Sequence, residues 1–220
     1  MSKYDVLFFD LDGTIIDSFP AFFAMCLAVA RNNGWTTTDE TSELIKEEWG
    51  VRTDLFATRC WPGVDWKILQ TEFNAFNKKA IDLPLFPETL ETLAALRGDK
   101  YIVTGRLRNG TIPALQYHGL LDFFSRVITR TEVRHNKPDP EGLELIIQPL
   151  ERKLGLPRER MLMVGDGYYS DALCAAAADI DFLAVAESSN LSRGHFIKNG
   201  VPATMIIDRF RDLPEWLSKT

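Results

Sequence analysis

Asp10 and Asp12 stand one residue apart where the apolar run Tyr4 to Phe9 gives way to the polar, glycine-bearing stretch Asp10-Leu11-Asp12-Gly13-Thr14. Carboxylates at that spacing can divide their work: one attacks an electrophile or binds a metal while the other moves protons. The same pentad also suits an Asx turn with a surface charge, so its meaning depends on what else the chain supplies. A second apolar run, Ile102-Val103, ends at Thr104-Gly105-Arg106, where a hydroxyl and an unobstructed N–H can both point at a phosphate oxygen. In His135-Asn136-Lys137-Pro138-Asp139-Pro140, Lys137 precedes a helix for which Asp139 is the expected N-cap and Pro140 the first-turn residue, which restricts the lysine backbone. The fourth element, Met163-Val164-Gly165-Asp166-Gly167-Tyr168-Tyr169-Ser170-Asp171, puts Asp166 after an apolar strand, and Asp171 opens, and can simply cap, an alanine-rich helix ending near Ala178. Asp166 suits a hard cation. Mg²⁺ takes oxygen ligands, usually one or two carboxylates plus water and substrate phosphate, which Asp10 and Asp166 can supply together.

These residues need a scaffold that gathers strand ends. Apolar runs at Tyr4 to Phe9, Lys100 to Thr104, Arg126 to Thr129 and Met161 to Gly165 read as buried strands, with Phe182 to Ala186 and Thr204 to Ile207 as later candidates. Helical patterns separate most of them, which predicts βα repeats on a parallel sheet with helices on both faces, a three-layer α/β architecture that binds ligands at the strands' carboxyl ends. Asp17 to about Phe86 has helix signals and no convincing strand. Thr37-x-x-Glu40 reads as a capping box, Gly50 as a stop, Thr53 as another start, Pro62-Gly63 as a turn, and Asp65 to Ala80 as a further helix. The expected division is a Rossmann-like core of residues 1–16 and 87–220, with a helical cap, residues 17–86, inserted after the first strand and able to hinge on two short linkers.

Composition narrows the function classes. The 220 residues carry 25 Lys+Arg against 31 Asp+Glu, a net charge of −6, and 45% are hydrophobic. Ordinary globular composition excludes a disordered or fibrous chain, and the acidic balance argues against nucleic-acid or anionic-membrane binding through a general positive field. The longest apolar stretch, Phe19 to Ala30, includes Pro20 and falls short of a membrane span. Asp5 and Asp10 interrupt what would be the apolar region of a signal peptide, so a cytoplasmic location is expected. Cys26, Cys60 and Cys174 sit in apolar helical patterns without metal or redox spacing and read as buried thiols. Gly165-x-Gly167-x-x-Ser170 is a broken dinucleotide fingerprint whose Asp166 would repel a pyrophosphate, and the three histidines have no ligand spacing.

In this order the four elements resemble the haloacid dehalogenase superfamily of hydrolases, specifically its phosphatase branch with a phosphoglycolate phosphatase-like layout, from Val6 to about Val185. The resemblance implies that Asp10 is a nucleophile forming an aspartyl-phosphate and that Asp12 is the general acid and then base. It implies that Thr104 and the Gly105 N–H hold the transferring phosphoryl group, which Lys137 neutralises, and that Mg²⁺ binds Asp10, the Asp12 carbonyl and Asp166. Two departures stand out. Arg106 occupies a position where relatives often have lysine, and it is expected to contribute to substrate binding as a planar fork instead of a point charge. Four residues separate Asp166 from Asp171, so metal support falls to Asp171 or, at the commoner spacing, to Ser170. Similar acid dehalogenases lack an aspartate at the Asp12 position. A β-phosphoglucomutase-like phosphomutase keeps both aspartates, and a catalytically silent phosphate-ligand binder would not need the second. A phospho-accepting receiver would be about half this length with its acceptor on a middle strand.

The expected partner is a small phosphorylated metabolite, with no nucleic acid and no membrane, bound by a monomer or homodimer. Trp49-Gly50-Val51-Arg52 resembles the inter-helix loop that faces the active site in capped relatives, which makes Arg52 a substrate-binding candidate as well as an ordinary solvated helix-end arginine. Phe22, Phe23, Trp49, Trp61 and Trp66 are expected to fill the cap core more than to line a pocket.

Overall fold

The computed structural model describes residues 2–188 and 192–220. The chain begins with β1 (Val6–Phe9), then runs through α1 (Phe19–Asn32), α2 (Asp39–Glu47), α3 (Thr53–Cys60) and α4 (Trp66–Lys79) before α5 (Thr89–Ala95) and β2 (Asp99–Val103). There follow α6 (Arg108–Tyr117), β3 (Arg126–Ile128), α7 (Glu141–Leu154), β4 (Met161–Gly165), α8 (Leu173–Ala177), β5 (Asp181–Val185), α9 (Arg193–Lys198), β6 (Ile206–Ile207) and α10 (Leu213–Ser218).

Among the described residues, six strands pair in parallel in the order β3-β2-β1-β4-β5-β6. β1 is apolar throughout because both its faces are covered. Leu7 and Phe9 pack with Leu93 of α5, Ala114 and Leu115 of α6 and Leu213 of α10. Val6 and Phe8 pack on the other side with Leu143 and Ile147 of α7 and Cys174 of α8. That alternation, period two along the strand, produces the three layers expected from the sequence. β1 lies between β2 and β4, and chain order reverses direction there, so the crevice at the carboxyl ends of these strands is where this topology binds ligands. Phe9 is in register with Ile102 and with Val164, so Asp10, Thr104 and Asp166 all leave the sheet within two residues of one level.

Helices α1 to α4 have a core of their own, in which Cys26, Ala30, Ile45, Phe56, Trp61 and Leu69 are buried together. The segments entering and leaving this unit run side by side: Asp17 N–H donates to Pro84 O at 2.8 Å, Phe86 N–H to Ile15 O at 3.1 Å, and Ile16 bridges Leu85 in antiparallel fashion. Among the described residues no helix is long and apolar enough to cross a membrane. All three cysteines are buried, and burial pushes each thiol up, leaving them protonated and packed.

Local starts differ from expectation in three places. The capping box belongs to Thr38 and Thr41, not Thr37 and Glu40: Thr38 Oγ1 accepts from Thr41 N–H at 3.1 Å and Thr41 Oγ1 from Thr38 N–H at 3.3 Å. Thr41 and Ile45, four positions apart, are buried on one face of the helix. α7 is flanked by Pro140, and the Asp139 carboxylate accepts from Glu141 N–H at 2.9 Å from one position further out. Asp171 does not cap the alanine-rich helix; it lies inside a π-helical turn, Tyr168–Ala172, that precedes α8.

Phe56 is 1% exposed and touches Phe22, Trp61 and Phe73. Phe56→Ala is expected to destabilise the inserted helices by about 3–5 kcal/mol, a cavity cost, read as a lower midpoint in urea denaturation followed by circular dichroism.

Candidate active site

Each carboxylate is set by the turn that follows its strand. Asp10 N–H donates to Val164 O at 3.0 Å, which continues the sheet by one residue and leaves the side chain at its carboxyl edge. The chain then reverses: Ile15 N–H and Ile16 N–H both return to Leu11 O, and Gly13 N–H donates to Ile16 O at 2.8 Å. Gly13 has φ +80°, and a Cβ there would lie 2.0 Å from Asp166 Oδ2, so only glycine fits between the two acidic loops. Thr14 Oγ1 donates to Asp166 Oδ1 at 3.2 Å from a fully buried position.

Lys137 is the centre of the charge arrangement. Its Nζ is 2.7 Å from Asp10 Oδ1 and 2.6 Å from Asp171 Oδ1, with all three side chains almost wholly buried. The other Asp171 oxygen accepts from Gly167 N–H at 3.0 Å. Carboxylate oxygens of Asp10, Asp166 and Asp171 lie within 4.8 Å of one another. Burial raises the Asp10 carboxyl above its ordinary range, and Lys137 only partly opposes this while Asp171 and Asp12 add to it. Asp166 is raised for the same first reason, then by the charges of Asp10 and Asp171. Lys137 moves the other way. Burial disfavours its charge, but Asp10 and Asp171 outweigh that and hold the ammonium well above the usual lysine range. Three clustered carboxylates facing one ammonium are short of positive charge, and hard oxygen donors at this separation fit a small divalent cation.

Asp10, Asp12, Thr104, Gly105, Arg106, Arg52 and Lys137 all line one cleft of about 990 Å³. Thr104 is buried, with N–H donating to Ile128 O at 3.0 Å, and Gly105 is exposed beside it with the Asn136 side-chain amide over its Cα. Ser170 faces the cleft while Asp171 is turned beneath it toward Lys137, which separates the two residues that the spacing left open. Arg52 also lines the cleft, but its exposed guanidinium clamps Asp54 through Nε at 3.1 Å and Nη2 at 2.7 Å. Arg106 is buried, and its Nη2 donates to Ala80 O at 2.5 Å.

The aromatic set divides. Trp61 is buried in the core of the inserted helices, whereas Phe22, Trp49 and Trp66 line the cleft. Trp49 reaches furthest: its indole N–H donates to Asp166 Oδ2 at 3.0 Å, and its ring is held edge-on by Phe19 and Phe22 at 5.3 and 4.5 Å. Neither this contact nor that of Asn136 is marked by any spacing in the sequence. For Trp49 the signal is the resemblance of Trp49-Gly50-Val51-Arg52 to the inter-helix loop that faces the active site in capped relatives.

Comparison with known proteins gives a consistent result. The family described as haloacid dehalogenase-like hydrolase matches residues 7–185. The pyrophosphatase PpaX of Oceanobacillus iheyensis is 30% identical over 207 residues, 92% of each chain. The phosphoglycolate phosphatase of Yersinia pseudotuberculosis is 31% identical over 184 residues, 77% of this chain and 75% of its own. Among solved structures, a haloacid dehalogenase-like family hydrolase from Streptococcus pneumoniae superposes with a TM-score of 0.78 over 98% of this chain and 99% of its own, at 19% identity.

Gly13→Ala forces the Asp166 carboxylate aside, and divalent-cation binding measured by calorimetry is expected to weaken by about 10- to 100-fold, as for other losses of ligand support.

Proposed function

The chain belongs to the haloacid dehalogenase-like hydrolase family, and from that membership we propose that it is a Mg²⁺-dependent phosphatase acting on a small phosphomonoester through an aspartyl-phosphate. One observation carries the reading: the Asp10 carboxylate opens onto the cleft while one of its oxygens is held at 2.7 Å by Lys137 and its neighbours Asp166 and Asp171 complete an acidic cluster. Asp10 then attacks phosphorus in line with the leaving oxygen, and the P–O bond to the leaving group breaks as Asp12 gives that oxygen its proton. Asp12 next takes a proton from the water that attacks the aspartyl-phosphate, which releases inorganic phosphate and restores Asp10. The Thr104 hydroxyl and the Gly105 N–H receive the equatorial oxygens, and Lys137, held by Asp171, offsets their charge. Asp10, Asp166 and the Asp12 carbonyl would hold Mg²⁺, which when bound supplies positive charge at the phosphoryl oxygens.

In this reading residues 17–86 act as a cap over the core of 1–16 and 87–220, excluding water and contacting the part of the substrate that differs between phosphate esters. The 30–31% identity to a pyrophosphatase and to a phosphoglycolate phosphatase supports a small, highly charged phosphorylated metabolite, with phosphoglycolate-like esters the first choice. Arg52, at the cap loop, is the basic group proposed to meet it, whereas the Arg106 guanidinium, also expected there, is buried and bonded to Ala80 O.

The test is phosphate release from a panel of phosphomonoesters and pyrophosphate. Release is expected with Mg²⁺, none with chelator, and none from Asp10→Asn, whose circular dichroism should match the wild type. Turnover by Asp10→Asn would remove the nucleophile assignment.

A further inference from the structure

We propose that Arg106 is a positioning residue that ties the root of the cap to the Asp12 carboxylate, so that the acid is held in place only when the end of α4 is seated on the core. The inference rests on reading Asp12 as the acid.

Arg106 is 2% exposed, in a residue type almost never fully buried unless paired. Its main chain is fixed by the core: the N–H donates to Thr104 Oγ1 at 3.2 Å and the carbonyl accepts from Arg130 N–H at 3.0 Å. Its head meets the cap. Nη2 donates to the carbonyl of Ala80, the residue that ends α4, at 2.5 Å. Nη1 is 3.6 Å from Asp12 Oδ1, and among the described residues neither Nε nor Nη1 has a hydrogen-bond partner. A buried guanidinium with unspent donors has one anion beside it, and that anion is the proposed acid.

An independent contact fixes the far end of the tie. Gly110 in α6 lies so close to α4 that a Cβ there would be 2.1 Å from Asn77 O, which means the last turn of α4 rests directly on backbone of the core. That seating brings Ala80 O within reach of Arg106. Because the guanidinium is a rigid plane, anchoring Nη2 on Ala80 also aims Nη1. As Asp12 gives its proton to the leaving oxygen, negative charge develops on its carboxylate, and a cation already aimed at it stabilises that charge without reorganising. When α4 lifts, Nη2 loses its acceptor, the fork can turn, and the part-exposed Asp12 side chain loses its orienting neighbour. A lysine offers a point charge that cannot hold both ends.

The test compares kcat/KM on two esters, because this ratio reports events up to transfer onto Asp10. p-Nitrophenyl phosphate releases a phenolate that departs without a proton, whereas an alkyl phosphomonoester, the best of the panel above, needs the acid. Arg106→Gln is expected to lower kcat/KM for the alkyl ester by about 100-fold, within the range of a lost general acid, and to leave the nitrophenyl ester close to wild type. Arg106→Lys is expected to show the same split in smaller measure, and it decides the question if Arg106→Gln does not fold. The double variant with Asp12→Ala should be no slower than Asp12→Ala alone. An equal loss on both esters from Arg106→Gln, alongside a split from Asp12→Ala, overturns the inference and leaves the acid assignment standing. If Asp12→Ala shows no split, the acid assignment itself fails, and the inference with it.

Discussion

Everything at the carboxyl edge of this sheet answers to one constraint: the Lys137 ammonium is a single buried cation among Asp10, Asp166 and Asp171. Desolvating a charge is costly, and a buried ion pair that loses one partner typically costs about 3–5 kcal/mol because the other is left uncompensated. The surroundings respond by supplying donors. Gly167 N–H serves Asp171, the Thr14 hydroxyl and the Trp49 indole N–H serve the two oxygens of Asp166, and Lys137 is shared between Asp10 and Asp171. Fully ionised, three carboxylates against one ammonium still leave a surplus of negative charge, which makes the cluster suited to a divalent cation.

Parallel topology is what makes such crowding possible. The residues come from four loops spread over more than 150 positions, and only neighbouring strands with matched register bring their ends to one level. β1 delivers Asp10, β2 Thr104 and β4 Asp166, while the loop between β3 and α7 brings Lys137 across from the sheet edge. The apolar alternation of these strands therefore has a chemical consequence: it fixes the heights at which Asp10, Thr104 and Asp166 emerge.

That logic explains which features could be read without coordinates. Asp10, Asp12, Thr104, Lys137 and Asp166 each follow an apolar run or stand at a helix start, and such local patterns survive into the fold because strand ends are set by burial. The capping register of α2 was less accessible, because two adjacent threonines offer the same side-chain chemistry. The role of Asp171 was hidden for a different reason. A residue at the head of an alanine-rich helix reads as a cap, and nothing local reports that a π-helical turn rotates it inward to Lys137. The contacts of Trp49 and Arg106 depend on tertiary structure: the loop resemblance brings Trp49 toward the site and Arg106 reads as a substrate group, but nothing local reports that each crosses between the inserted helices and the sheet.

Those two crossings come from different parts of the inserted unit. Trp49 belongs to the loop between α2 and α3 and touches Asp166, while Ala80 ends α4 and is held by Arg106 beside Asp12. A cap that only covered the cleft would need shape alone. Here its loop donates to a carboxylate of the proposed metal cluster and its root is bonded to a cation next to the proposed acid, so moving it changes the surroundings of both groups together. In the proposed mechanism such a link would favour hydrolysis over leakage: phosphoryl transfer to Asp10 would gain most with water excluded and the acid aimed, and the same displacement that would admit water would also disturb the acid's neighbour. If Asp12 is the acid, as proposed, substrate selection would follow from closure, since an ester that lets α4 seat on α6 would also complete the environment of Asp12, whereas one that props the helix away would lose the proton donor.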